Sequence, residues 1–261
     1  EIALKMSFHY WQNKNQPKKT KFINLKNSYH GETLGALAVG DVELYKKTYQ
    51  PLLMDIITVA SPDCFFREAG ESWQSYSRRM LQPMERALER HAHEVCAVII
   101  EPLVQCAGKM RMYHSDYIKL LRQLCDRFQV HLIADEIAVG FGRTGSFFAC
   151  EQAQISPDIM CLSKGLTAGY LPLSAVLCSE DIYQCFYHDY ASLKGFLHSH
   201  SYTGNALACR AALASLEIFA QNDVMQNNKK LAAMMHEVTK HFVEHPHVAE
   251  VRQTGMILAI E

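Results

Sequence analysis

Two polar side chains follow directly after apolar runs whose composition is typical of buried strands. Asp135 follows the run 131–134, and Lys164 follows Ser163 at the end of the run 158–162. Because ligands of parallel α/β sheets bind beyond the carboxyl ends of the strands, both side chains are candidates for one binding site. On its own, Asp135 could pair with a cation, bind a metal, act as a base or cap a helix.

Asp135 and Lys164 together match what pyridoxal 5'-phosphate requires of a protein. We expect burial at the strand end to lower the pKa of the Lys164 amine, and a neutral amine is a nucleophile toward carbonyl groups. The amine would hold the aldehyde of the cofactor, and the carboxylate would keep its pyridine nitrogen protonated so that the ring accepts electrons. A lone lysine at a strand edge more often reaches out to solvent, so the prediction depends on the pair.

The same cofactor needs an aromatic stacking partner, an apolar floor and a cradle for its phosphate. Tyr29 follows the predicted strand Phe22–Leu25 and could supply the stacking ring, while Ile137 could supply the floor. The hydroxyl-rich segment 198–203 precedes a predicted helix, and donors at a helix N-terminus suit a phosphate. These residues complete the predicted cofactor site.

A competing motif is the segment 140–145, GFGRTG, which matches the dinucleotide fingerprint G-x-G-x-x-G. That fingerprint requires its last glycine to open a helix, whereas Ser146 and two phenylalanines follow here. We interpret the match as accidental, and a nicotinamide-dependent dehydrogenase stays an alternative that NAD binding would support. The His-x-His pairs at 91–93 and 198–200 do not share a helix face and have no cysteine or carboxylate cluster nearby, so we predict no metal site.

The strands and helices that must position these residues are indicated by apolar runs that alternate with amphipathic stretches along the sequence. The predicted strands are Phe22–Leu25, Ile56–Val59, Val95–Ile100, His131–Ala134, Asp158–Leu162 and Leu173–Cys178. They are apolar on consecutive residues, as expected for strands covered on both faces, and helical patterns separate several of them. This alternation predicts an α/β fold with a mainly parallel sheet. Predicted helices cover 1–12, Met80–His91, Asp116–Phe128 with Ser115 as N-cap, Asn205–Ala220 and Val224–Glu244.

The pattern also predicts how the chain divides. We expect a large cofactor-binding domain over residues 1–220 and the start of a smaller C-terminal domain over 221–261, with a strand at Met256–Ile260. The chain begins at Glu1 within a helical pattern and stops after an apolar run, so we expect it to be an internal piece of a longer protein.

Composition narrows the class of protein. The 261 residues are 49% hydrophobic and 20% charged, a globular balance, and the formal net charge of −1 gives no global attraction to nucleic acid or to an anionic membrane. The lysines at 14, 18, 19 and 21 are expected in a solvated loop. Nine scattered cysteines without a C-x-x-C pair predict a reducing, cytoplasmic compartment, and no apolar run approaches the ~20 residues that span a membrane.

Five longer segments resemble the class III (fold type I) aminotransferases, which depend on pyridoxal phosphate. The segments are SYHGETLGALAVGD (28–41), IIEPLVQCAGKMRMYH (99–114), LIADEIAVGFGRTGSFFACE (132–151), SPDIMCLSKGLTAGYLPLSAVL (156–177) and HSHSYTGNALAC (198–209). The resemblance implies the fold type I architecture, a mainly parallel sheet with helices on both faces and a smaller α/β C-terminal domain.

The resemblance also implies roles for single residues at the cofactor. Lys164 would hold the cofactor and then shuttle the proton, Asp135 would pair with the pyridinium nitrogen, and Tyr29 would stack near the ring. Ser201 would bind the phosphate across the interface of a homodimer with shared active sites, with help from the His200 backbone.

On the substrate side, the resemblance implies that Tyr29 and Ser199 border the substrate. Glu101 would be a site-lining acid that faces an arginine later in the family's chain. Glu32 stands where the family pattern suggests an aspartate, and Ser199 stands where it suggests a glycine. These two differences affect the predicted substrate contacts and leave the cofactor chemistry intact.

Two shorter segments, MRMYH and SYTGN, resemble a narrower branch of the family. Its members transfer an amino group from S-adenosyl-L-methionine to 8-amino-7-oxononanoate in biotin biosynthesis, which gives 7,8-diaminononanoate. The alternatives are another class III aminotransferase that uses an ω-amino acid or diamine with pyruvate or 2-oxoglutarate, and a non-catalytic scaffold. Because the family's phosphate-binding Gly-Ser turn and substrate-binding arginine would lie before Glu1 and beyond Glu261, we expect these 261 residues alone to be inactive.

Overall fold

The computed structural model describes residues 1–261, and a six-stranded sheet forms its centre. The strands of the sheet run in the order β2-β1-β3-β6-β7-β8. Their bounds are β1 (Lys21–Leu25), β2 (Ile57–Val59), β3 (Val95–Ile100), β6 (His131–Asp135), β7 (Ile159–Leu162) and β8 (Ala175–Cys178). The first five strands are parallel, and only β8 runs antiparallel to its neighbour β7. The predicted mainly parallel α/β sheet is therefore confirmed.

Two small hairpins lie outside the central sheet. One joins β4 (Val104–Gln105) to β5 (Arg111–Met112), and the other joins β9 (Val251–Thr254) to β10 (Ile257–Ile260). The helices are α1 (Ile2–Asn13), α2 (Leu34–Ala38), α3 (Glu43–Lys46), α4 (Trp73–Arg79), α5 (Gln82–His91), α6 (Ser115–Phe128), α7 (Glu180–Phe186), α8 (Ala206–Gln221) and α9 (Val224–Thr239). None of them combines the length and the apolar character that a membrane crossing requires.

Helices cover both faces of the sheet, and the alternation of side chains along each strand explains this. In β3, Val98 and Ile100 pack into the larger core cluster, which α4, α5 and α6 cover. Ala97 and Ile99 point to the other face and pack with α1 and α7. Since successive strand residues point to opposite faces, consecutive apolar residues are what a doubly covered strand needs.

The ends of several elements differ from the sequence prediction. His114, not Ser115, caps α6, because its ring Nδ1 accepts the Asp116 N–H. Met80 follows α4 and does not belong to α5, which begins at Gln82 with a proline in its first turn, a position that proline favours. The helix predicted to reach Glu244 ends at Thr239, and a 3-10 helix covers Lys240–Glu244. The predicted domain boundary at 220 stays a prediction.

Lys19 is buried, so the prediction that it lies in a solvated loop is wrong. Its ammonium donates to three backbone carbonyls, those of Ala92 at 3.0 Å, Val95 at 3.1 Å and Gln129 at 2.8 Å, and it lies 4.2 Å from the centre of the Trp11 ring. Burial lowers the pKa of Lys19 to about 8, while the three carbonyl dipoles favour its ammonium form. The side chain thereby joins the amino ends of the sheet.

We expect Lys19→Met to lower the free energy of unfolding by about 2–4 kcal/mol, because three buried carbonyls lose their donor. Urea unfolding followed by circular dichroism measures the change. Lys18→Met is the matched control, because the neighbouring Lys18 is exposed. Equal stability of the two variants would contradict the proposed role of the three carbonyl contacts.

Candidate active site

The carboxyl ends of four adjacent strands meet at one cleft of about 340 Å³. Tyr29 and His30 follow β1, Glu101 follows β3, Asp135 ends β6 and Lys164 follows β7. The cleft is lined by Tyr29, His30, Gly31, Glu101, Cys106, Ala107, Asp135, Ile137, Ala138, Ser163, Lys164 and Ser174. The structure therefore brings Asp135 and Lys164 together, along with Tyr29, Ile137 and Glu101.

Asp135 lies in the floor of the cleft with both carboxylate oxygens held. Oδ2 lies 2.8 Å from Nδ1 of His30, and Oδ1 accepts the Ile137 N–H at 3.1 Å. An ionised carboxylate only accepts hydrogen bonds, so Nδ1 of His30 donates. The side chains of His30 and Asp135 are only 2% and 8% exposed. This arrangement fixes the orientation of one negative charge at the bottom of the cleft.

The neighbouring acid, Glu136, points away from the cleft. Its two carboxylate oxygens accept the N–H groups of Ala149 at 2.9 Å and Cys150 at 2.8 Å, at the start of the 3-10 helix Ala149–Ala153. Burial raises the pKa of Glu136. Of the two acids at the end of β6, Asp135 alone is placed for chemistry.

Lys164 is exposed within the cleft, which corrects the expectation of a buried amine. The strand ends at Leu162, and a short 3-10 helix, Lys164–Thr167, lifts the lysine out of the sheet edge. Lys164 has a left-handed backbone, with φ 45°, which costs a non-glycine residue about 1 kcal/mol or more. Neighbouring packing therefore holds the lysine in place.

Gly165 supplies part of that packing. A Cβ added at Gly165 would lie 2.8 Å from Cβ of Phe141, closer than real Cβ atoms approach a neighbour. The Gly165 carbonyl accepts the Ser215 hydroxyl of α8 at 3.2 Å. An alanine at this position would displace the backbone of the neighbouring Lys164.

We expect Gly165→Ala to destabilise the fold by about 1–3 kcal/mol and to weaken cofactor binding, because Phe141 cannot yield without moving its own loop. Thermal unfolding without cofactor and a cofactor titration measure the two effects. Gly195→Ala is the control, since a Cβ there would meet nothing within 4 Å. Wild-type cofactor affinity in the Gly165 variant would contradict this interpretation.

Glu101 is nearly fully buried behind the cleft. Its Oε2 accepts the Tyr29 N–H at 3.0 Å and its Oε1 accepts the Cys106 N–H at 3.1 Å. Burial raises the pKa of Glu101 to about 7, although the nearby His30 and the two N–H groups act in the opposite direction. The carboxyl group thus ties together two segments of the cleft wall.

Tyr29 lies at the mouth of the cleft. Its hydroxyl donates to Oε1 of Glu32 at 3.0 Å, and its ring centre lies 5.6 Å from that of Tyr45. Burial, together with this hydrogen bond, raises the pKa of Tyr29. The ring is positioned to border a ligand in the cleft. Glu32, which differs from the aspartate of the family pattern, therefore contacts the predicted substrate-binding tyrosine directly.

The predicted phosphate segment lies apart from the cleft in this single chain. Ser199, His200 and Ser201 are exposed, and none of them lines the cavity. The predicted contacts of His200 and Ser201 with the phosphate and of Ser199 with the substrate therefore stay predictions. The glycine segment 140–145 forms turns and opens no helix, so its geometry lacks what the dinucleotide fingerprint requires.

Sequence reasoning missed the role of His30. The residue stands next to Tyr29, the predicted stacking ring, but nothing local indicates that its ring reaches Asp135, 105 positions later. The signal that could have found it is the order of the sheet, since β1 and β6 both border β3.

The cleft fits pyridoxal phosphate in its residue types. A buried carboxylate with fixed orientation suits a protonated ring nitrogen, and an exposed amine across the cleft suits an aldehyde. Nε2 of His30 is buried without a partner in the protein. Asp135 and Lys164 would hold the cofactor at its two reactive ends. The fold and the site thus define the class of proteins that bind pyridoxal phosphate.

Comparison with known proteins identifies the family. The family model described as aminotransferase class-III matches residues 1–261, and the chain belongs to this family. Members of the family use pyridoxal 5'-phosphate.

Individual relatives carry narrower names. The chain is 50% identical to an adenosylmethionine-8-amino-7-oxononanoate aminotransferase of Helicobacter pylori, covering 100% of the chain and 59% of that protein. The crystal structure of the enzyme of the same name from Methanocaldococcus jannaschii matches with a TM-score of 0.91 and 38% identity, over 100% of the chain and 57% of that structure.

A more distant structural relative carries a ligand. An omega transaminase from Pseudomonas jessenii in complex with PMP matches with a TM-score of 0.92 and 28% identity, over 99% of the chain and 57% of that structure. The chain therefore spans between 57% and 59% of the length of these three relatives.

Proposed function

We propose that the protein containing this chain transfers an amino group from S-adenosyl-L-methionine to 8-amino-7-oxononanoate, with pyridoxal phosphate as cofactor. The observation that carries the proposal is the buried Asp135 carboxylate, held by His30, in one cleft with Lys164. The identity of 50% over the whole chain to a relative of that name supports the particular substrates.

The residues of the chain divide the work of such a reaction. When bound, pyridoxal phosphate supplies an electron sink for the carbanion that forms at the amino-bearing carbon. Asp135 places a fixed negative charge at the floor, where it would keep a ring nitrogen protonated. Nζ of Lys164 would hold the cofactor and, once free, take up and return the proton at the reacting carbon.

We assign the substrate side of the cleft to Tyr29 and Glu101. We also propose Ser199, which lies outside the cleft of the single chain, as a substrate contact. Burial favours the protonated form of the Glu101 carboxyl group. A cationic group facing it would favour the carboxylate form, as the family's arginine later in the chain would. Tyr29 lines the cleft, where its ring could contact a bound substrate.

We also infer that two copies of the chain combine at the active site, with His200 and Ser201 of each copy binding the phosphate of the other. Large apolar side chains are exposed on both sides of this segment. Tyr190 is 93% exposed, Leu197 75% and Leu207 74%. Large apolar side chains exposed near one segment support the inference, because exposed apolar patches mark interaction sites.

We place the protein in the cytoplasm, a reducing compartment. All nine cysteines are free thiols, and five of them are buried. Free cysteines in apolar surroundings suit a compartment in which thiols stay reduced.

The test uses the full-length protein loaded with pyridoxal phosphate. Incubation with S-adenosyl-L-methionine alone is expected to change the absorbance of the bound cofactor, and later addition of 8-amino-7-oxononanoate to restore it with release of 7,8-diaminononanoate. Mass spectrometry identifies the product. If the absorbance of the bound cofactor does not change on addition of S-adenosyl-L-methionine, this compound is not the amino donor.

The main alternative is an aminotransferase for ω-amino acids or diamines, which the match to omega transaminase structures favours. Parallel incubations with such donors, and with pyruvate or 2-oxoglutarate as acceptor, separate the two functions. Turnover with these compounds and none with 8-amino-7-oxononanoate would establish the alternative. A full-length protein that fails to bind the cofactor would instead support a scaffold role.

A further inference from the structure

One wall of the cleft consists of Cys106 and Ala107, which lie in the loop between β4 and β5. Two consecutive residues of this loop have left-handed backbones, Lys109 with φ 64° and Met110 with φ 53°. Residues other than glycine rarely adopt this backbone conformation, so contacts from outside the loop must maintain it.

Arg252 of β9 provides those contacts. Its Nε donates to the Met110 carbonyl at 2.9 Å, and its Nη2 donates to the Lys109 carbonyl. Nη1 binds the carboxylates of Glu250 at 3.1 Å and Glu261 at 2.7 Å. Arg252 is only 4% exposed. The planar guanidinium therefore holds two adjacent carbonyls at once, which the single ammonium of a lysine cannot do with the same geometry.

A continuous series of hydrogen bonds leads from this loop into the site. The Met110 N–H donates to the Cys106 carbonyl at 3.1 Å. The Cys106 N–H donates to Oε1 of Glu101 at 3.1 Å, and Oε2 of Glu101 accepts the Tyr29 N–H at 3.0 Å. Displacement of the loop would withdraw one of the two N–H groups that hold the Glu101 carboxyl.

The hairpin that carries Arg252 also supports the opposite wall. Its Met256 N–H donates to the Arg143 carbonyl at 2.8 Å. A Cβ at Gly255 would lie 2.4 Å from the carbonyl carbon of Thr144, so the turn is packed directly on the segment that follows Ile137 and Ala138. The hairpin therefore contacts both loops that flank the cleft.

We propose that Arg252 is a positioning residue that fixes the loop 106–110 and, through Cys106, the carboxyl group of Glu101. Its effect on turnover rests on the proposed function, whereas its effect on the loop does not. The thiol of Cys106 reports on the loop directly, because it is half-buried and lines the cleft.

The test compares Arg252→Gln, Arg252→Lys and Arg67→Gln in the full-length holoenzyme. Arg67 is the matched control, since it binds Glu250 in the same ion-pair network but makes no contact with the loop 106–110. Iodoacetamide labelling of Cys106, followed by peptide mass spectrometry, measures how often the loop opens. We expect labelling about tenfold faster in Arg252→Gln, an intermediate rate in Arg252→Lys and the wild-type rate in Arg67→Gln.

The rate of hydrogen exchange of the 106–112 amides is expected to follow the same order among the variants. In Arg252→Gln we also expect kcat/KM for amino transfer to fall, while the absorbance of the bound cofactor stays unchanged. Equal Cys106 labelling in Arg252→Gln and wild type would overturn the proposal, as would an equal increase in Arg67→Gln. If Arg252→Gln does not fold, Arg252→Lys against Arg67→Gln decides by the same criterion. A wild-type protein that transfers no amino group would contradict the proposed function alone, because the labelling order is independent of turnover.

Discussion

Replacement of Lys164 by alanine is expected to lower the rate of amino-group transfer by about four orders of magnitude or more. The variant removes the only amine in the cleft, and with it both the covalent hold on the cofactor and the group that moves the proton. Folding should be retained, because the side chain is exposed and its backbone stays seated by Gly165 and α8. The variant is thus expected to be stable and inactive.

Two measurements check this result. Borohydride reduction of the cofactor-loaded protein should fix the cofactor to the peptide that contains residue 164 in the wild type, and to no peptide in Lys164→Ala. Lys119→Ala is the control, since this lysine is exposed on α6. Covalent labelling of a different lysine in the wild type would refute the assignment of Lys164.

Replacement of Asp135 by asparagine is expected to slow transfer by about 10³-fold, the scale of losing one fixed electrostatic contact in a reacting site. The amide has nearly the same shape, and its oxygen can still accept the Ile137 N–H. Its nitrogen can donate to Nδ1 of His30 once the ring carries its proton on the unpartnered Nε2, which the fixed N–H donors of Glu136 cannot match. The amide nevertheless carries no charge to keep a ring nitrogen protonated. We expect the stability of the apo protein to change little. The rate constant of a single turnover measures the chemical loss.

Glu136→Gln is the comparison for this variant, because the two acids are adjacent but only Asp135 faces the cleft. The amide nitrogen of glutamine would meet one of the two N–H donors of residues 149 and 150, so the fold should be weakened while the cofactor chemistry is kept. The opposite pattern, with chemistry lost at 136 and retained at 135, would show that the roles have been assigned to the wrong acid.

Much of the site was predictable from the sequence because its elements are local. An apolar strand that ends in a polar side chain places that side chain at the edge of a parallel sheet, as Asp135 and Lys164 show. The order of neighbouring strands then brings the two together. The exposure of Lys164 was not predictable in this way, since it depends on a turn whose left-handed backbone is held by Phe141 and α8.

Other features depend on contacts that no local pattern records. Lys19 looks like the other lysines of its polar loop, and only the positions of three distant carbonyls make it a buried residue. His30 and Arg252 act on partners more than 100 positions away. The cap at His114 was missed because serine is the commoner N-cap and the ring nitrogen of histidine accepts the same N–H.

The assembly of the cleft from four strands also has a consequence for the order of events during folding. Residues 29, 101, 135 and 164 meet only when β1, β3, β6 and β7 have all found their register, so the cofactor has no complete site on any partly formed sheet. A ligand that binds only the finished state slows unfolding and leaves the folding rate unchanged. The cofactor should therefore prolong the lifetime of the native protein without acting as a template for its formation.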